Sequence, residues 1–307
     1  MTRNRRPFDV IATGGVDVDL VLTVEAVPTE GETVMGKLVG RLPGGTVANF
    51  ACAAARIGMR SASLASVGDD SAGRALIQDF ARFGVDTSFV SVLAHAETNF
   101  TVVLVAPSGE RSIVVVPMFK AAYDPDVARR AYASGQAAYM MAGQGDEFIQ
   151  LAELARSEGA LVMVDMDPTI GAAPAGAEDV LSRVNIACLN HHAFTAVARE
   201  QPSVAAARTL LDYGPQVVVV TSGSEGALAV TADEAASVPG WKVEVRDTTG
   251  AGDTFNAAFL AGTLRREPLE QRLRFANAAA AIAVTGLGPR GHLPTRTEVN
   301  SLLAQVE

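Results

Sequence analysis

Cysteine is almost absent from this 307-residue chain. Cys52 and Cys188 stand alone with no CxxC spacing, which leaves neither a disulfide framework nor a zinc site. Positive charge is also short: 25 Lys and Arg against 34 Asp and Glu give a net charge of −9 and a pI near 5.0. A nucleic-acid partner wants a basic footprint, so that class is set aside. Any anionic ligand must instead be held by local N–H groups and a metal ion. No apolar run reaches 18 residues, which removes a membrane-spanning helix. The start, Met1 to Arg6, is basic, but the apolar run behind it is broken by Asp9, Asp17 and Asp19, so it fails as a secretion signal. The expectation is a soluble, cytoplasmic chain. No GxGxxG follows the first apolar run, which argues against a dinucleotide-binding dehydrogenase.

What the chain has instead is a dense Asp, Thr and Gly run, Asp247-Thr248-Thr249-Gly250-Ala251-Gly252-Asp253-Thr254-Phe255. Ahead of it, Trp241 to Arg246 alternates apolar and polar residues and reads as a strand. Behind it, Asp253 to Arg266 reads as a buried helix with a cationic end. Gly250 and Gly252 let the backbone turn tightly where the first helical N–H groups point outward, a cradle suited to phosphate. An aspartate beside such a cradle is electrostatically odd unless it takes a proton. The plainer alternative is that Asp253 caps the helix and the glycines only make the turn.

Phe8 to Thr13 reads as a buried parallel strand. Asp17 and Asp19, two residues apart, face one side of an extended chain. Leu42-Pro43-Gly44-Gly45-Thr46-Val47-Ala48-Asn49 leads into an Ala-rich helix over 47–57, with Asn49 on its first turn. Segments 20–24, 33–41, 98–106 and 111–117 read as strands without intervening helices and so predict a small separate sheet. From 125 onward, helices (125–134, 146–158, 191–199, 202–212) alternate with strands (137–141, 160–165, 185–189, 216–221). That alternation predicts a parallel sheet covered on both faces. Ligands in such sheets sit beyond the carboxyl ends of strands. Asp17, Asn190, Thr221 and the 247–253 turn each follow a predicted strand.

Asp247 to Phe255 resembles the C-terminal signature of the ribokinase-like (PfkB) family of sugar and nucleoside kinases. Gly44, Gly45 and Asn49 resemble its N-terminal signature, at the expected distance ahead. The resemblance covers residues 8 to about 295. It implies a three-layer α/β fold with a mostly parallel sheet, helices on both faces and a small β lid, here about 18–42 and 96–118 of a single 1–307 domain. It implies Asp253 as the base on an acceptor hydroxyl and Gly250, Ala251 and Gly252 as the anion hole. Sugar hydroxyls are assigned to Asp17, Asp19, Gly44, Gly45 and Asn49, and ATP to Asn190, Thr221, Gly223, Gly226 and Asn277. Mg²⁺ is held mainly through phosphates. A K⁺ site is assigned to Asp247, Thr249 and the 286–289 turn with Gly288. The lid also implies a homodimer.

The sequence departs from this pattern in three places. Ala193, in Asn190-His191-His192-Ala193, stands where the family carries a Glu that helps place Mg²⁺. Thr46 replaces a Lys that ribokinases carry after the Gly pair. No sugar-binding Glu is found near Met141 to Gln144. The expectation is therefore an ATP-dependent kinase of a small sugar other than ribose. A nucleoside kinase, with Phe100 and Phe119 as stacking candidates, and a catalytically silent binding regulator are the alternatives. Arg111, read as either a solvated turn residue or a lid contact to an anionic group, stays open, as does Asp70, read as either a helix cap or a substrate contact.

Overall fold

The computed structural model describes residues 6–108, 111–119, 123–142, 146–166 and 174–305. Gly109 and the Gly143–Gln144 segment, near which the sequence lacks a sugar-binding Glu, lie outside them. The chain begins with β1 (Phe8–Thr13), β2 (Asp17–Val24), β3 (Gly36–Gly44) and α1 (Thr46–Arg56). Next come β4 (Ser61–Gly68), α2 (Ser71–Phe83), β5 (Asp86–Leu93), β6 (Phe100–Val105) and β7 (Arg111–Val116). The alternating part runs α3 (Pro125–Ser134), β8 (Gly135–Ala142), α4 (Asp146–Ser157), β9 (Leu161–Met166), α5 (Pro174–Leu181), β10 (Ile186–Asn190) and α6 (His191–Ala198). It closes with α7 (Val204–Thr209), β11 (Val217–Thr221), β12 (Ala227–Val230), β13 (Ala235–Val238), α8 (Ala251–Leu264), α9 (Leu269–Ala283) and α10 (Arg296–Leu303).

Among the described residues, nine strands form one sheet in the order β13-β12-β11-β10-β9-β8-β1-β4-β5. All neighbours are parallel except the β11–β12 and β12–β13 pairs, which form an antiparallel edge. The strand sequences explain the two-sided cover. Along β1, Val10 and Ala12 enter one apolar cluster while Ile11 enters the other. Along β11, Val217 and Val219 separate from Val218 and Val220 in the same way, so uninterrupted apolar runs feed two cores. Fully burying each such side chain is worth about 1.5–3 kcal/mol.

Strands β3-β2-β6-β7 form the second, smaller sheet. The register puts Asp17, Asp19, Thr101, Val103, Arg111, Ile113 and Val115 on one face, and Leu20, Leu22, Leu38, Val102, Leu104 and Val114 on the other.

Three sequence expectations fail. Trp241 to Arg246 is not a strand. Trp241 packs against the core instead, and the N–H groups of Arg246 and Asp247 donate to the Val284 carbonyl at 2.8 and 3.2 Å. The glycine turn is thus fed by a loop that leans on the end of α9. Asp17 opens β2 in the small sheet rather than trailing β1. The predicted helix over 202–212 divides into α7 and a short 3₁₀ turn at Leu210–Tyr213. Strands β4, β5, β12 and β13 come in addition to the predicted ones.

Candidate active site

Two helices at the centre of the molecule begin in the same unusual way. The N-caps of α1 and α8 are Gly45 (φ 90°) and Gly250 (φ 76°), and neither has a side-chain cap. By contrast, α2, α3, α6, α7 and α10 are capped by Asp70, Asp124, Asn190, Ser203 and Thr295. A left-handed φ costs an ordinary residue about 1–2 kcal/mol, so glycine is required at both caps. Contact reinforces this: a Cβ on Gly45 would lie 2.7 Å from the Gly15 carbonyl oxygen, and one on Gly250 would lie 2.7 Å from that of Pro289. Gly252 differs, because a Cβ there would meet nothing within 4 Å. The first turn of α8 therefore turns the Gly252 N–H, with the positive end of the helix dipole, toward space that no described residue fills, while the Ala251 N–H donates to the Thr248 carbonyl at 3.3 Å.

Asp253 does not cap α8. It lies in the first turn, buried, and its Oδ2 accepts a hydrogen bond from Asn49 Nδ2 at 2.9 Å across 204 residues of sequence. This contact joins the two glycine-led helices. Burial pushes the Asp253 carboxyl up to about 8, and the charge of Asp165 adds to the rise, while Asn49 and Arg290 oppose it. Behind Asp253, Asn256 Nδ2 donates to the Tyr139 hydroxyl and to Asp165 Oδ2, both at 3.2 Å. Tyr139 itself donates to Asp165 Oδ2 at 3.3 Å.

The small sheet delivers Asp17 and Asp19 beside Gly44. A Cβ on Gly44 would approach Asp17 Oδ1 and Asp19 Oδ2 to 2.6 Å, so only glycine fits against this pair. Burial, with Asp19 adding to it, pushes Asp17 up to about 6, whereas Thr101 and Arg290 lower it. Burial also raises Asp19, opposed by Arg290 and Arg111. Asp17 Oδ1 is buried without a hydrogen-bond partner. A buried carboxylate oxygen in that condition calls for a donor such as a hydroxyl.

Asp247 is saturated by its surroundings. Its Oδ1 accepts from the Thr249 N–H (2.9 Å) and hydroxyl (2.5 Å), and its Oδ2 accepts from the Gly288 N–H at 2.9 Å. Burial alone would raise its pKa, but these bonds and Arg111 hold it below the usual carboxylate range. Arg111, at the start of β7, donates to the Thr249 hydroxyl and to Thr248 Oγ1 at 2.7 Å, and its guanidinium lies 3.4 Å from Asp247 Oδ1. Arg111 is therefore not a solvated turn residue: it ties the small sheet to the 247–249 turn ahead of α8. It also brings positive charge to the residues that the sequence assigned to K⁺. Among the described residues, no group of three or more His, Cys, Asp and Glu side chains could hold a metal ion.

The residues assigned to ATP fall at the other end of the same edge. Asn190 and Thr221 are register partners at the carboxyl ends of β10 and β11. Asn190 Oδ1 accepts from the Ala193 N–H at 2.8 Å, and Ala193, which stands where the family carries a Glu, is fully buried. Asn277 spends its amide on the Val238 and Pro239 carbonyls (3.3 and 3.1 Å). A Cβ on Gly226 would lie 2.1 Å from the Val238 oxygen. Asn277 and Gly226 thus hold the 238–240 loop. Gly223 sits in a 3₁₀ turn at φ 55°, in open space. Asp70 is the α2 cap, accepting from the Gly73 N–H at 2.7 Å.

Sequence reasoning missed Arg290, Asp79, Asp165, Tyr139 and Asn256. Only the Asn at 256, a polar residue on a helix expected to be buried, carried a readable signal.

The sequence profile described as pfkB family carbohydrate kinase matches residues 8–296. The chain is 32% identical to ribokinase of Bacillus subtilis over 300 residues, covering 96% of this chain and 99% of that protein. It is 31% identical to ribokinase of Haemophilus influenzae over 299 residues, covering 94% and 96%. The structure of Arabidopsis thaliana ribokinase complexed with ribose and ATP superposes with a TM-score of 0.83 at 25% identity, covering 96% of this chain and 98% of that one. A mostly parallel sheet with a second, small sheet, and a buried carboxylate beside an uncapped helix start, are thereby placed: the chain belongs to the pfkB family and is an ATP-dependent carbohydrate kinase.

Proposed function

We propose that the chain transfers the γ-phosphoryl group of Mg·ATP to a hydroxymethyl group of a small sugar or sugar-like molecule. The observation that carries this reading is the Asn49–Asp253 hydrogen bond, which sets a buried carboxylate at the mouth of the α8 N–H groups. Asp253 takes the proton of the acceptor hydroxyl as its oxygen attacks the γ-phosphorus in line. The bond to the β–γ bridging oxygen breaks and ADP leaves. The N–H groups of Gly250, Ala251 and Gly252 would stabilise charge on the phosphoryl oxygens, and Mg²⁺ would be held mainly by the phosphates and would supply further neutralisation. Asp17 and Asp19, side by side against Gly44, accept from sugar hydroxyls, and Asn49 can donate to another. Asn190, Thr221 and Gly223 line the ATP side.

The sequence-based exclusion of ribose finds no support in the ribokinase relatives, so ribose stands first among acceptors. The test is ADP release from Mg·ATP across pentoses, hexoses, sugar acids and nucleosides, with and without K⁺. One acceptor with turnover, lost in Asp253→Asn, is the expected result. Turnover without dependence on K⁺ would agree with Arg111 standing at Asp247. ATP binding with no turnover on any acceptor would favour the silent regulator.

A homodimer through the outer lid face accompanies this reading, supported by Leu38 and Val114, which are 53% and 54% exposed opposite Leu22 and Val102. Sedimentation should give a dimer that Leu38→Lys with Val114→Lys converts to monomer. A monomeric wild type would remove the dimer.

A further inference from the structure

Arg290 lies in the turn after α9, yet its side chain is only 6% exposed. The turn leaves little freedom: a Cβ on Gly291 would lie 2.1 Å from the Leu287 oxygen, and one on Gly286 would lie 2.5 Å from the His292 nitrogen. From this fixed base the guanidinium reaches three elements of the N-terminal half. Nε donates to Asn49 Oδ1 at 3.0 Å, one terminal nitrogen donates to the Gly44 carbonyl at 2.9 Å, and the other pairs with Asp79 of α2. The ring of Phe80 lies beneath it, 5.9 Å from the guanidinium carbon.

A guanidinium has five donors and no acceptor. The atom of Asn49 that faces it must be the amide oxygen, and the amide NH₂ is then forced toward Asp253. Without that constraint, a half-turn of the Asn49 amide would put its oxygen against the carboxylate, oxygen to oxygen. From this geometry we infer that Arg290 is a positioning residue for the reaction: it fixes the polarity of the Asn49 amide and thereby holds Asp253 as a hydrogen-bonded base. The inference rests on the kinase reading above. The groups that face Asp253 are Asn49 from α1, Arg290 from the turn after α9, Asp165 from β9 and Tyr139 from β8. Among these groups Arg290 is the one cation, and it lowers the pKa of Asp17 and Asp19 as well. Lysine would not substitute, since a single ammonium cannot fork to three acceptors held in one plane.

Arg290→Met alone strands the largely buried charge of Asp79, so the informative variant replaces both, Asp79→Leu with Arg290→Met. This pair is expected to fold and to lose about 10–100-fold in kcat/KM, within the range of couplings between contacting residues. Its rising pH limb should move about one pH unit higher, the lower end of what a nearby opposite charge supplies. In an Asn49→Ala background the same replacement should cost no more than about threefold, because the residue through which Arg290 acts is gone. Arg290→Lys should restore less than half of the lost activity. Equal losses in both backgrounds with an unmoved limb would overturn the inference. A readout independent of turnover is the Asp253 carboxyl titration followed by ¹³C NMR in the ligand-free protein. A higher midpoint in the paired variant supports the inference, and an unchanged one overturns it. If the wild type phosphorylates no acceptor while that midpoint still moves, the kinase reading fails and the positioning of Asp253 stands.

Discussion

Asp253→Asn is expected to lower turnover by roughly 10²–10⁴ while leaving the protein folded and, at pH 8, melting no lower than wild type. The loss follows from removing the base. The retained fold follows from shape, since an Asn at 253 still offers an oxygen to Asn49 Nδ2 across the 2.9 Å contact. The stability behaviour follows from the carboxyl itself, whose ordinary value of 3.8 is pushed up to about 8 by burial and by Asp165. Between those two values the folded chain holds a proton that the unfolded chain has released. Stability therefore falls as pH rises from about 4 to 8, and an amide, neutral throughout, escapes the fall. The melting-temperature advantage of the variant should grow over that window. A gap that stays constant with pH would contradict a raised carboxyl, and wild-type-like turnover would remove Asp253 from the mechanism. In the wild type, kcat/KM should climb toward a limb near pH 8, because that ratio reports the base in the free enzyme.

The second large effect is expected at Gly252, where stability and activity should part. Nothing lies within 4 Å of a Cβ placed there, and the residue sits in the first turn of α8. Alanine suits a helix better than glycine, so Gly252→Ala should be at least as stable as wild type, by up to about 1 kcal/mol. The added methyl would nevertheless stand where a phosphoryl group meets the N–H cradle, and displacement by a fraction of an ångström to 1 Å costs about 10²-fold in rate. Gly250→Ala supplies the contrast, because its φ of 76° and the Pro289 oxygen 2.7 Å away should make it unstable before it is inactive. Denaturation midpoints and steady-state rates on the two variants decide the matter. A fully active Gly252→Ala would mean that the open space beside α8 is not the phosphoryl seat.

Most of what could be read from the sequence was local in origin. Apolar runs such as Val217 to Val220 declare a strand covered on both faces, and glycines at 44, 45, 250 and 252 declare close approach before any partner is known. The helix over 125–134 needed only Asp124 as its cap and Pro125 in its first turn. Failures came where a distant partner decides. Trp241 to Arg246 has the alternation of a strand, yet the β12–β13 hairpin already closes that edge of the sheet, and Trp241 is drawn into the core. Arg290 is one arginine in a glycine-rich turn until folding brings Asn49 and Asp79 to it across more than 200 residues. The same holds for Asp165, whose influence on Asp253 depends on which strand ends beside α8.

Arg111 gives the small sheet a second meaning. Its guanidinium rests on Thr248, Thr249 and Asp247, so the strand that carries it cannot rise without releasing the turn that leads into α8. The geometry of the turn ahead of α8 is thus set partly by a side chain from the other sheet, and a change in the small sheet would be felt at the start of α8.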